Sequence, residues 1–193
     1  MSVRVEVLNR QRRWTVDTGR LREVTEAVLV REFGLGEALL GVQLIGATAM
    51  AAMNWRWLRH EGSTDILTFD HREDPDADLH GELFVSVDDA VVQAGEFHAD
   101  PSVELFRYVV HGILHLRGYG DAEPAARRVM KRIENRVVRR WSTGGAVRGL
   151  LRGRGRRARR IVPGKGLASA EVRTRARSTP PGPRSKPVPC RAP

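Results

Sequence analysis

The chain has 193 residues, 33 Lys or Arg against 23 Asp or Glu, a net charge of +10 and a single cysteine, Cys190. One thiol excludes an intrachain disulfide and a thiolate metal cluster, and without a run of about 18 apolar residues no helix can span a membrane. The N-terminus, Met1-Ser-Val-Arg-Val-Glu6, lacks the apolar stretch of a signal peptide, so a reducing cytoplasm is the expected location.

Val3-Arg-Val-Glu-Val-Leu8 alternates as a half-buried strand does, and Leu21, Val24, Val28 and Leu29 recur at helical spacing before Gly34 stops the segment. Leu40 to Ile45 reads as a strand and alanine-rich Ala47 to Leu58 as a helix. The end of that helix, Asn54-Trp-Arg-Trp57, resembles a base-stacking patch, but tryptophans more often pack into a core or between helices. Asp65 to Phe69 and Gly81 to Val87 read as two further strands. The acidic stretch between them, Glu73-Asp-Pro-Asp-Ala-Asp78, lacks the glycine and terminal glutamate of an EF-hand and reads as a solvated loop.

Ser86 with Asp89 opens a helix to about Phe97, and Asp100-Pro101 supplies an N-cap and first turn for the next. Leu105, Val109, Val110 and Ile113 give that helix a buried face. A last helix, near Pro124 to Trp141, has Met130, Ile133 and Val137 inward and many arginines outward. The expected fold class is α+β, a mixed sheet of about four strands with packed helices, filling residues 1–143.

Residues 144–193 hold fourteen Lys or Arg and one acid, Glu171; that net +13, taken from +10, leaves −3 for the first 143 residues. With few large apolar groups this tail is expected to be disordered. Its run Arg152-Gly-Arg-Gly-Arg-Arg-Ala-Arg-Arg160 is either a handle for phosphate backbones or a solvated basic extension.

The candidate site is His111-Gly-Ile-Leu-His-Leu-Arg-Gly-Tyr-Gly-Asp121. A helix places residues i and i+4 on one face, so His111 and His115 can aim at one point. Gly118 accepts the left-handed conformation of a helix end, and the returning chain can present Asp121 as a third ligand. Two imidazoles and a carboxylate with a fourth position for water is the composition of a catalytic zinc site. The competing reading is two helix histidines facing a core or an ion-paired surface. Peptidase zinc chemistry is disfavoured, because Gly112 stands where H-E-x-x-H has its glutamate. His60, His71, His80 and His98 are isolated and read as surface or hydrogen-bonded groups.

These residues resemble the YbeY family of ribosomal RNA maturation endoribonucleases, whose signature runs approximately H-G-x-L-H-L-x-G-Y-D-H. His111, Gly112, Leu114, His115, Leu116, Gly118 and Tyr119 match it. Upstream, Ser63-Thr-Asp-Ile-Leu-Thr-Phe69 resembles the family's P-T-D-V-L-S-F, Gly81-Glu-Leu83 its G-D-I, and Asn54 its asparagine, over residues 3 to 141. Asp121 stands at the family's third histidine and Gly120 at its preceding aspartate. Leu58 stands at its arginine, with Arg59 and Arg56 nearby.

The resemblance implies a single-strand-specific, zinc-dependent endoribonuclease acting in maturation of the 3′ end of small-subunit ribosomal RNA and in ribosome quality control. Its partners would be ribosomal RNA and the small ribosomal subunit. It implies one Zn2+ per chain on His111, His115 and Asp121, a metal-activated water as nucleophile, and Arg59 as a phosphate contact. No side chain stands out as general base. Thr64 and Asp65 suit shaping their loop by side-chain bonds, and in the implied fold that loop borders the metal cleft. A different class stays open: a ribosome-assembly factor that binds RNA and keeps the metal for structure.

Overall fold

The computed structural model describes residues 2–74 and 78–153 and the backbone of 187–188. In chain order the elements are β1 (Ser2–Asn9), β2 (Trp14–Val16), α1 (Thr18–Arg31), β3 (Glu37–Ile45), α2 (Ala47–Leu58), β4 (Ile66–Asp70) and β5 (Leu79–Ser86). There follow α3 (Val87–Glu96), α4 (Pro101–Leu116), α5 (Pro124–Thr143), β6 (Leu151–Gly153) and the two-residue β7 (Pro187–Val188). The main sheet runs β1-β3-β5-β4, with β7 along the far side of β4. β1, β3 and β5 are parallel and β4 is antiparallel to β5, so the sheet is mixed, and the architecture is the expected α+β.

Side chains alternate across a strand, and the two faces of the sheet carry separate cores. Leu40, Val42 and Leu44 of β3, Ile66 of β4, and Leu83 and Val85 of β5 join the large core beneath α1, α3, α4 and α5. Leu67 and Phe69 turn the other way, onto Met50, Met53 and Trp57 of α2. Trp57 meets Phe69 edge-on with ring centroids 5.4 Å apart, as a packing residue should. Trp55 does not: it is 51% exposed.

The helix termini follow their caps. Ser86 Oγ accepts from Asp89 N, Asp100 Oδ1 accepts from Ser102 N, and Gly34 and Gly118 take positive φ where α1 and α4 end. The Asp89 carboxylate does not reach back to complete a capping box; Ser63 Oγ donates to it instead.

The α4 helix is buried nearly all round, from Leu105 and Phe106 through Val109, Val110, Ile113 and Leu114 to Leu116. It lies very close to the sheet because two glycines let it. A Cβ on Gly112 would stand 2.5 Å from Ile66 Cδ1 and 2.7 Å from Leu83 Cδ2, and one on Gly81 would stand 2.7 Å from Leu116 Cδ2 of α4.

The packed body does not stop at 143. After α5 the chain turns back through Gly145 and Gly149, buries Val147, Leu150 and Leu151, and pairs β6 antiparallel with β2. Asp17 N donates to Leu150 O at 2.8 Å and Leu151 N to Ser102 Oγ at 3.1 Å. Residues 144–153 therefore continue the folded unit rather than beginning the tail. The rest of the expected tail, 187–188 apart, lies outside the described residues.

Two stability outcomes follow from this packing. Gly112→Ala should lower the free energy of unfolding by about 1–3 kcal/mol through overpacking, although in an exposed helix the same change gains up to about 1 kcal/mol; urea titration reads the sign. A chain cut after Gly153 is the reference for the second outcome. One cut after Thr143 should lose about 3 kcal/mol or more, because buried side chains of this size contribute about 1.5–3 kcal/mol each.

Candidate metal centre

The last two turns of α4 carry His111 and His115. Their Nε2 atoms lie 3.1 Å apart, with the rings nearly perpendicular. Beyond His115 the helix closes tightly: Gly118 N donates to His115 O at 2.9 Å and Tyr119 N to Leu114 O at 3.0 Å. Gly118 at φ 83° then reverses the chain. The reversal brings Asp121 Oδ2 to 3.9 Å from His115 Nε2, and Arg127 Nε holds the Asp121 carbonyl at 2.8 Å. One ligand atom from each of His111, His115 and Asp121 lies within 4.8 Å of the others. The three residues expected as ligands are thus brought together.

Two nitrogens each about 2.05 Å from a tetrahedral zinc would be about 3.3 Å apart, close to the spacing of this imidazole pair. Two nitrogens and one carboxylate oxygen suit zinc or a similar transition metal. Calcium and magnesium favour sets of oxygens.

Sequence reasoning missed the group that orients His111. Glu134, on α5, is buried, and its Oε2 lies 2.8 Å from His111 Nδ1. Its Oε1 accepts from Arg107 Nη1 at 2.7 Å, and Arg107 also reaches Asn135 Oδ1 at 2.7 Å and Glu104 Oε2 at 3.2 Å. With Nδ1–H donated to a carboxylate, His111 is held in the tautomer that turns its Nε2 lone pair toward His115 and the candidate metal position. The available signal was an acid in the inward row of α5 between Met130 and Val137, where apolar residues are the rule.

Burial opposes charge throughout this cluster, and specific partners decide the outcome. Burial would push the His111 imidazole down, yet the Glu134 carboxylate more than offsets it and leaves the pKa raised. Burial and then the neighbouring His111 both push His115 down. Glu134 is lowered, because its bonds to His111 and Arg107 outweigh burial. Asp65, Glu104 and Tyr108 are raised, each mainly by burial.

All of these groups but His115 line one cleft of about 660 Å³, bounded by the 63–65 loop, α3, α4 and α5. Asp65 both shapes its loop and faces the cleft: its Oδ1 accepts from Thr64 Oγ1 at 3.0 Å and Ile66 N at 2.9 Å. Cations reach the cleft from Arg107, Arg127 and Lys131. Arg59 is not among the lining residues. It sits in the left-handed conformation at the exposed end of α2, its guanidinium 6.0 Å from the Trp55 ring centroid. His60 and His98 are exposed, and His71 and His80 face each other at 5.3 Å, apart from the metal group.

The model of the family described as Endoribonuclease YbeY matches residues 6–142. The chain belongs to the YbeY family. Relatives named Endoribonuclease YbeY include one from Salinibacter ruber, 35% identical over 64% of this chain and 82% of its own length. A second, from Chlorobium phaeovibrioides, is 31% identical over 72% of this chain and 92% of its own length. The solution structure of TM1509 from Thermotoga maritima shares the fold, with a TM-score of 0.52 and 22% identity over 74% of this chain and 94% of that one. Among the described residues no helix is long and apolar enough to cross a membrane.

Glu134→Gln should weaken zinc binding about 10–100-fold, as loss of a carboxylate behind a ligating histidine does, while His111→Ala should abolish it; competition with a chromogenic chelator measures both. In metal-free protein the His111–Glu134 pair should stabilise a definite pH window. The raised His111 makes its contribution complete below its ordinary value of 6.5 and lost as pH climbs through the raised value. The lowered Glu134 contributes above its ordinary 4.5 and is lost as pH falls through the lowered value. Urea midpoints in chelator should peak between those limits, and Glu134→Gln should flatten the peak.

Proposed function

We propose that this chain is a zinc-dependent endoribonuclease that cuts single-stranded RNA in the cytoplasm, in maturation of the 3′ end of small-subunit ribosomal RNA and in ribosome quality control. The observation that carries the reading is the convergence of His111, His115 and Asp121 beside the cleft, whose wall includes His111 and Asp121, in a chain of an endoribonuclease family.

Zinc, when bound there, supplies Lewis acidity toward a phosphoryl oxygen and acidifies a water toward neutral pH. The chain's own residues do the rest. Glu134 keeps the His111 ring in register through its Nδ1. Lys131 and Arg127 give the cleft positive charge from α5, suited to holding an RNA phosphate. Asp65, with a carboxyl whose pKa burial raises, holds a proton more readily than an exposed aspartate and is the group in the cleft best suited to exchange one. Asp121, standing where the family has a third imidazole, adds a negative charge and makes the metal a weaker Lewis acid.

Purified chain loaded with zinc should cleave a labelled single-stranded RNA and leave the same sequence intact in a duplex. Chelation should stop cleavage and re-added zinc restore it, and His111→Ala should lose more than the 10–100-fold typical of an outer-shell change. Zinc-loaded chain that binds RNA without cutting it would replace this reading with the assembly-factor one.

A further inference from the structure

The α5 helix has two faces of opposite character. Inward it presents Met130, Glu134, Val137 and Val138; outward, Arg127, Arg128, Lys131, Arg132, Arg136 and Arg139 are all exposed. The helix as a whole, residues 124–143, has seven cations and one acid, a net of +6, and that acid is buried Glu134. Residues 1–123 have twelve cations and twenty-one acids, a net of −9. The positive charge of the described body is therefore concentrated on one helix.

A solvated helix ordinarily interleaves glutamates with its cations, because opposite charges at i,i+4 stabilise it and like charges there destabilise it. Here Arg128, Arg132 and Arg136 are successive i+4 neighbours, as are Arg127 and Lys131, with no exposed acid in the helix between them. Arg140 is a separate case, with Nη1 3.3 Å from Glu32. The ridge is unfavourable to the helix by itself and suits a polyanion laid along it. It also leads somewhere, since Arg127, Lys131 and Asn135 line the same cleft as His111 and Asp121.

We infer that the exposed face of α5 is a track for the sugar-phosphate backbone of a single RNA strand whose neighbouring segment lies in the cleft. This rests on the RNA reading proposed above. From residue 127 to 139 the helix advances about 18 Å, the length of about five stacked nucleotides. The cations bind phosphates without regard to base, so the track supplies affinity and orientation while the cleft determines where the strand is cut.

The test is the salt dependence of binding of full-length chain to a labelled single-stranded RNA, in chelator so that nothing is cut. Each phosphate contact contributes about −0.7 to the slope of log affinity against log salt. Replacing Arg128, Arg132 and Arg136 together by Glu should make the slope shallower by about 2 and weaken binding at least tenfold at low salt. The triple Gln version should shift the slope by the same amount, and covers the case in which charge reversal unfolds the helix. A matched triple Glu change at Arg156, Arg157 and Arg159 reports the C-terminal basic run separately. Unchanged slopes in both α5 variants, or a parent chain that does not bind RNA, would overturn the track. Cleavage by the zinc-loaded parent is read independently: a shifted slope without cleavage leaves the track and removes the nuclease, and cleavage with unshifted slopes does the reverse.

Discussion

The closeness of α4 to the sheet sets everything else at the metal centre. Two side chains four residues apart can meet at one point only if their helix is held rigidly, and a rigid helix needs apolar contact on more than one side. At Gly112 the helix rests on Ile66 and Leu83 at a distance that a methyl group would spoil. The glycine stands between His111 and His115, the two candidate ligands. Where a zinc peptidase would carry its glutamate, this fold requires the absence of any side chain. One residue thereby both disfavours one chemistry and seats the site of another.

The second constraint is charge. Glu134, Arg107 and Glu104 lie between α4 and α5, and groups of this kind are costly to remove from water unless each is bonded to another. Here they are: Arg107 binds both acids, and Glu134 divides its two oxygens between Arg107 and His111. An apolar core of the same volume is often as stable or more so, so stability is a weak reason for the arrangement. Its evident return is orientational: α5 is tied to α4 at His111, and a movement of one helix is felt at that imidazole.

Much of this was legible in the sequence because it depends on short-range regularity. Period 2 in Val3 to Leu8, helical spacing from Leu21 to Leu29, the caps at Ser86 and Asp100, the glycine after His115 and the i,i+4 histidines are all local signals, and each corresponds to the element found. What escaped depends on contacts between segments far apart in the chain. Glu134 resembles any charged helix residue until α4 is placed beside it. Val147, Leu150 and Leu151 are few among many arginines, so composition assigned them to the tail, whereas β2 and Ser102 draw them into the core. Trp55 and Trp57 are indistinguishable by type, and only the position of Phe69 makes one a packing residue and leaves the other exposed.

The pairing of Trp14–Val16 with Leu151–Gly153 also bears on the order in which the molecule assembles. It joins segments separated by nearly the whole folded body, and such contacts form late because the chain must first bear the entropy of closing the loop between them. α5, and Glu134 with it, lies inside that loop. The His111–Glu134 contact, only 23 residues apart in the chain, closes a far shorter loop and is expected to form before it. Any metal held by His111, His115 and Asp121 would accordingly depend on the packing of α4 against α5 more than on the closure between β2 and β6.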